Sequence, residues 1–194
     1  QALIFSYDGI GSDGCFNVYL GRQWEITRVK SIGHPSLGFL YRDVALALAE
    51  IHKNPDWNPT QLALSVSGKL MGLAAYGQVR PRMLRAFSEY YASGSLAPVN
   101  TLVAEIAGDE PGRLVTIDEY VQKQYREQIR VPQISGALAA DLAACNQRAF
   151  EDTFLEHALP LIEQYGDLPV CLAGGCSLNV LLNERLRGMI GNRI

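Results

Sequence analysis

Three stretches of this chain carry residue types that could handle a phosphate or a metal ion. Asp8–Gly9–Ile10–Gly11–Ser12–Asp13–Gly14 follows the apolar run Leu3–Ile4–Phe5–Ser6–Tyr7, so glycines and an acidic side chain meet at a strand end. Glycines there let backbone N–H groups point at a phosphate, and the acid can hold a metal ion beside it. Taken alone, the turn is equally an ordinary hairpin connection, because Asp-Gly is common in that role. Gly174–Gly175 ends a second apolar run, Val170–Cys171–Leu172–Ala173, and passes into a helical pattern. Strand-to-helix glycine turns are where α/β proteins bind nucleotides, and Ser177 and Asn179 are the first polar side chains able to reach a ligand there. Gly68–Lys69, within Ser67–Gly77, reads as a flexible turn whose ammonium can meet a phosphate or carboxylate. The other reading is a solvated lysine ahead of a packed Gly/Ala helix. The spacing G-x-x-x-x-G-K-[ST] is absent, so this is not a P-loop.

Periodicity supplies the elements that must position these turns. Cys15–Leu20 and Trp24–Val29 alternate as half-buried strands do, so the first thirty residues read as a hairpin or meander. Ser36 is an N-cap candidate, and Leu40, Val44, Leu48 and Ile51 predict a helix over Leu37–His52. His34, just before it, could donate to a ligand phosphate, although a lone loop histidine is more often structural; His52 suits a helix C-terminus. Arg80–Tyr91 is amphipathic. Ser93–Arg113 lacks a regular pattern and reads as an exposed excursion, with a short strand at Leu114–Ile117 and a helix over Ile117–Arg130. The pattern from Ala137 to Tyr165 is strongly helical, with Ser135 as candidate cap, Gly166 as its end and His157 partly exposed on it.

Composition excludes several function classes. The 194 residues are 48% hydrophobic, enough for one sizeable core or two modest ones. A net charge of −3 provides no basic field for a nucleic-acid backbone. No apolar run approaches the roughly 20 residues that span a bilayer. The four cysteines, Cys15, Cys145, Cys171 and Cys176, lack zinc-site spacing and read as buried free thiols of a cytoplasmic protein. The chain opens inside a strand without Met and stops just after a helix, which reads as a piece of a longer protein.

Four blocks, in order, resemble one family. Asp8–Gly11 is similar to its D-G-x-G, and Pro35–Tyr41 to its P-x-S-L-G-x-[LF]-Y. Gly68–Gly77 is similar to G-K-x-M-G-L-A-[AP]-Y-G, and Leu172–Asn179 with Asn183–Leu186 to L-A-G-G-x-[AS]-L-N…N-x-R-L. The family is that of the O-carbamoyltransferases of nodulation-factor and antibiotic biosynthesis. The resemblance implies an α/β fold, part of an actin-like ATPase (ASKHA) domain related to the enzymes of tRNA threonylcarbamoyl transfer, with a mixed sheet and flanking helices. Within it, 1–34 would form the strands and first turn, 35–92 helices and the Gly-Lys block, 93–134 an insert or linker, and 135–194 a helix–strand–Gly-Gly–helix unit.

Family members join carbamoyl phosphate and ATP into carbamoyl-adenylate, with loss of pyrophosphate and phosphate. The carbamoyl group then passes to a hydroxyl of a sugar or other small acceptor, with a divalent metal (iron by resemblance, or magnesium) in the site. By resemblance, Asp8 is a metal ligand, Gly9 and Gly11 lie on the phosphate side, Gly68 and Lys69 on a loop lining the nucleotide, and Gly174, Gly175 and Asn179 on the adenosine side. No residue is assigned to catalysis. The resemblance also places two metal-binding histidines before Asp8, a second metal-binding aspartate after Ile194, and an adenylate-forming domain elsewhere in the same chain; Ser67 replaces a more usual Glu. A piece lacking these is expected neither to hold the metal tightly nor to turn over. The partners implied are small molecules, not nucleic acid or membrane. A sugar kinase or other phosphotransferase of the same fold, and a non-catalytic nucleotide-binding module, are the alternatives.

Overall fold

The computed structural model describes residues 1–33, 36–51, 59–107, 112–124, 131 and 133–194, and over them the chain is α/β with a mixed four-stranded sheet and flanking helices. His34 and His52 lie outside the described residues. The strands are β1 (Ala2–Tyr7), β2 (Phe16–Arg22), β3 (Glu25–Ser31) and β4 (Val170–Ala173). The helices are α1 (Leu37–Asp43), α2 (Pro59–Ala74), α3 (Pro81–Ser93), α4 (Ala97–Ala107), α5 (Ile117–Gln124), α6 (Gly136–Gln164) and α7 (Val180–Ile190). Two compact units share them: Gln1–Phe39 with Glu151–Ile194, and Leu40–Phe150.

The first unit holds the sheet, in the order β3-β2-β1-β4. The expected meander is present: β1 pairs antiparallel with β2, and β2 with β3. On its other side β1 runs parallel to β4, with Leu3 opposite Val170 and Ser6 opposite Ala173. The register decides where the site lies, because the two glycine turns leave the C-terminal ends of neighbouring parallel strands. Alternation buries Leu3, Phe5 and Tyr7 on one face, where Phe154 of α6 receives them. Its ring centroid is 4.5 Å from that of Tyr7, 5.7 Å from Phe5 and 5.5 Å from Phe16. Burial of each such side chain contributes on the order of 1.5–3 kcal/mol. Helix α7 buries Leu182 and Leu186 and is tied to α6 by Arg185, whose guanidinium reaches Glu151 at 3.0 Å and Asp152 at 2.6 Å.

The second unit is helical, and here four expectations are corrected. The helix read as Leu37–His52 gives way after Asp43 to a 3-10 turn, Val44–Ala47, and then to extended backbone at Leu48. Leu48 bridges Ile134, and Ile134 N–H donates to the Ala47 carbonyl at 2.8 Å, so pairing with a distant segment replaces the helical ladder. Ser67–Gly68–Lys69 is not a turn but lies within α2. Ser93–Arg113 contains α4, whose Val99, Leu102 and Val103 are buried. No strand forms at Leu114–Ile117; Asn100 instead brackets Leu114, accepting its N–H at 2.6 Å and donating to its carbonyl at 3.1 Å. The expected helices at Arg80–Tyr91 and Ala137–Tyr165 are α3 and α6, and the described part of the third, read as Ile117–Arg130, is α5.

At the end of α1, Asp43 is buried, accepting from Ile117 N–H at 3.0 Å and from the Tyr90 hydroxyl at 3.5 Å. Burial pushes its carboxyl up to about 6, outweighing the Ile117 hydrogen bond and the Arg42 charge. Among the described residues no helix is long and apolar enough to cross a membrane.

Candidate functional site

The parallel pairing of β1 with β4 brings Asp8 against the second glycine turn. One carboxylate oxygen accepts from Gly9 N–H at 2.6 Å and the other from Gly175 N–H at 2.8 Å. The side chain thus bridges two turns separated by 167 residues of sequence. Two main-chain N–H groups converge on one anionic position, the geometry by which glycine turns hold carboxylates and phosphates.

Sequence dictates this crossing through glycine. Gly174 has φ +89°, a conformation open to glycine, and a Cβ there would collide with the Tyr7 carbonyl. At Gly175 a Cβ would lie 2.9 Å from the Asp8 carboxylate. The first turn of α1 also lies flush on the Asp8 turn, since a Cβ on Gly38 would be 2.6 Å from Gly9 N. Ser36 caps that helix as expected, its oxygen accepting from Phe39 N–H at 3.2 Å, and its hydroxyl donates to the Gly9 carbonyl.

Not every expected residue joins this arrangement. Gly9, Gly174, Gly175 and Asp8 come together. Gly11 is exposed, and its carbonyl accepts from Gly14 N–H at 3.4 Å. Asn179, expected to face adenosine, is buried as the cap of α7, its side-chain oxygen accepting from Leu182 N–H at 3.0 Å. Ser177 is half-buried, and its hydroxyl donates to the Gly174 carbonyl at 2.7 Å. Gly68 and Lys69, expected on a nucleotide-lining loop, are exposed positions of α2, where backbone N–H groups serve the helix rather than a phosphate.

The cysteines also need revision. Cys145 is buried, Cys15 and Cys176 are half-buried, and Cys171 is exposed, since it pairs with Ile4 on the sheet face opposite the buried Leu3, Phe5 and Tyr7. Cys15 and Cys176 border the Asp8 turn. The Cys15 thiol donates to the Gly9 carbonyl at 3.4 Å. Burial, then the charge of Asp8 and the neighbouring Cys15, pushes the Cys176 thiol up to about 12. A thiol so held stays protonated at neutral pH and makes a poor nucleophile. Sequence reasoning recognised Ser36 only as a cap and missed both thiols; the one available signal was their closeness to glycines already singled out.

Both Asp8 oxygens are engaged by backbone N–H groups. Among the described residues no three His, Cys, Asp or Glu side chains gather as a metal-ligand set. The metal implied by resemblance would find one carboxylate here, and Asp8 alone does not make a metal site.

The fold defines an α/β protein with glycine turns at the carboxyl ends of adjacent parallel strands. The model of the carbamoyltransferase N-terminus matches residues 1–190, and the chain belongs to that family. It is therefore part of a transferase enzyme whose general chemistry is carbamoyl transfer. A comparison with curated proteins gives no match.

Proposed function

We propose that this chain forms one wall of a site that transfers a carbamoyl group, delivered as carbamoyl-adenylate made from carbamoyl phosphate and ATP, to the hydroxyl of a sugar-like or other small acceptor. In this reading the domain is of the actin-like ATPase type, and the Gly9 and Gly175 N–H groups fix the Asp8 carboxylate in the site. Transfer forms a bond between the acceptor oxygen and the carbamoyl carbon, releases AMP, and frees the hydroxyl proton. The observation that carries the reading is the match to the carbamoyltransferase N-terminus over residues 1–190, beside two glycine turns joined through the Asp8 carboxylate at 2.6 and 2.8 Å. An adenylate-forming domain elsewhere in the same polypeptide and a cytoplasmic setting complete the proposal.

Product analysis on the full-length enzyme tests it. With carbamoyl phosphate, ATP and a polyhydroxylated acceptor, AMP, pyrophosphate and a carbamoylated acceptor are expected. Release of ADP with a phosphorylated acceptor would overturn the reading in favour of a kinase.

A further inference from the structure

We propose that Ser36 is a positioning residue for this site, setting the Asp8–Gly9 turn through its hydroxyl proton; the inference rests on the function proposed above. The hydroxyl works in two directions. Its oxygen accepts from Phe39 N–H at 3.2 Å, which caps α1, while its proton goes to the Gly9 carbonyl, with the Asp8 carbonyl 3.4 Å away. Both peptide carbonyls of the turn thus lie within reach of one side chain from another element. On the same turn, Gly9 N–H donates to Asp8. Rotation of the Gly9 backbone would redirect that N–H and carry the carboxylate away from Gly175.

Capping needs only the acceptor oxygen of Ser36; the donation to Gly9 serves the turn. The neighbouring packing keeps the link short, since Gly38, lacking a side chain, lets the start of α1 approach Gly9. The Cys15 thiol shares the Gly9 carbonyl but at 3.4 Å and with a weak donor, so it does not substitute for the hydroxyl.

Ser36→Gly and Ser36→Thr separate the two jobs. Glycine serves nearly as well as serine at a helix N-cap, yet it offers no hydroxyl, whereas threonine keeps both the acceptor and the donor. In the full-length enzyme, Ser36→Gly is expected to lower the kcat for carbamoyl transfer on the order of 10–100-fold, the scale of a small misplacement of reacting groups. The KM for acceptor should move little, the melting temperature should stay near wild type, and Ser36→Thr should restore most of the rate. Wild-type kcat in Ser36→Gly, a rate loss that parallels a loss of melting temperature, or a Ser36→Thr enzyme as slow as Ser36→Gly would each overturn the inference. Asp8→Asn, assayed alongside, distinguishes the failures. If it is slow while Ser36→Gly is unimpaired, the site stands and the positioning role falls; if both are unimpaired, the site falls with it.

Discussion

Gly174–Gly175 and Gly68–Lys69 look alike in sequence, each a glycine beside a residue able to meet an anion, yet they become opposite structures. Gly174 sits at φ +89° where β4 crosses the end of β1, and its missing side chain admits the Tyr7 carbonyl. Gly68 lies in α2 with nothing within 4 Å of the position a Cβ would take. The first glycine is required by its surroundings and the second is tolerated by them. What separates them is the flanking context: a short apolar run that must pair with β1 on one side, and a helix that absorbs small residues on the other.

Alanine at each position should therefore act with opposite sign. Gly174→Ala combines a conformation that L-residues rarely adopt with a backbone collision, and is expected to destabilise by about 3 kcal/mol or more. Chemical denaturation of the two variants against wild type measures the difference; a mild Gly174→Ala would remove the claim that this glycine is demanded by the crossing.

An effect of comparable size, in the helical unit, depends on pH. The folded-state value of the Asp43 carboxyl is raised from 3.8 to about 6, so the folded state binds the proton more tightly than the unfolded chain. The stabilisation that this group contributes is complete below about 3.8 and is lost as pH rises through about 6. The loss amounts to about 3 kcal/mol by linkage. Asp43→Asn does not titrate, so wild type should lose stability relative to the variant between those pH values. A difference that is flat, or that grows in the other direction, would contradict a buried carboxyl held by Ile117 N–H and Tyr90.

Gly68→Ala is the smallest of these effects. An exposed glycine in a helix interior costs roughly 0.5–1 kcal/mol relative to alanine, so the variant should be slightly more stable. Destabilisation would mean that this position is not the plain helical site described.

Much of the sheet unit was legible in the sequence. Period-two alternation marks β2 and β3, an apolar run ending in a glycine turn marks β1, and the long run from Ala137 predicts α6 within a residue at each end. The segment after Asp43 was not, because Val44–Leu48 are buried on every side and present the same apolar residues whether helical or extended. Helix α4 was hidden by Pro98 and small residues, although proline is tolerated in a first helical turn. The exposure of Cys171 depends on its pairing with Ile4, away from the buried face of β1, which a four-residue apolar run does not encode. Within the site, residue types identified the two turns. They did not reveal that Asp8 would join them, which follows from the parallel register of β1 and β4; the capping of α7 by Asn179 is local, and an asparagine ahead of a helical run was its signal.

The central claim is that the Asp8 and Gly174 turns, joined through the Asp8 carboxylate, form one wall of the proposed site. Hydrogen–deuterium exchange of the full-length enzyme, with and without ATP and carbamoyl phosphate, tests it most directly. The account predicts that substrates slow exchange in peptides covering Asp8–Gly14 and Gly174–Asn179 together. Exchange unchanged at both turns, or slowed at one of them alone, would contradict it.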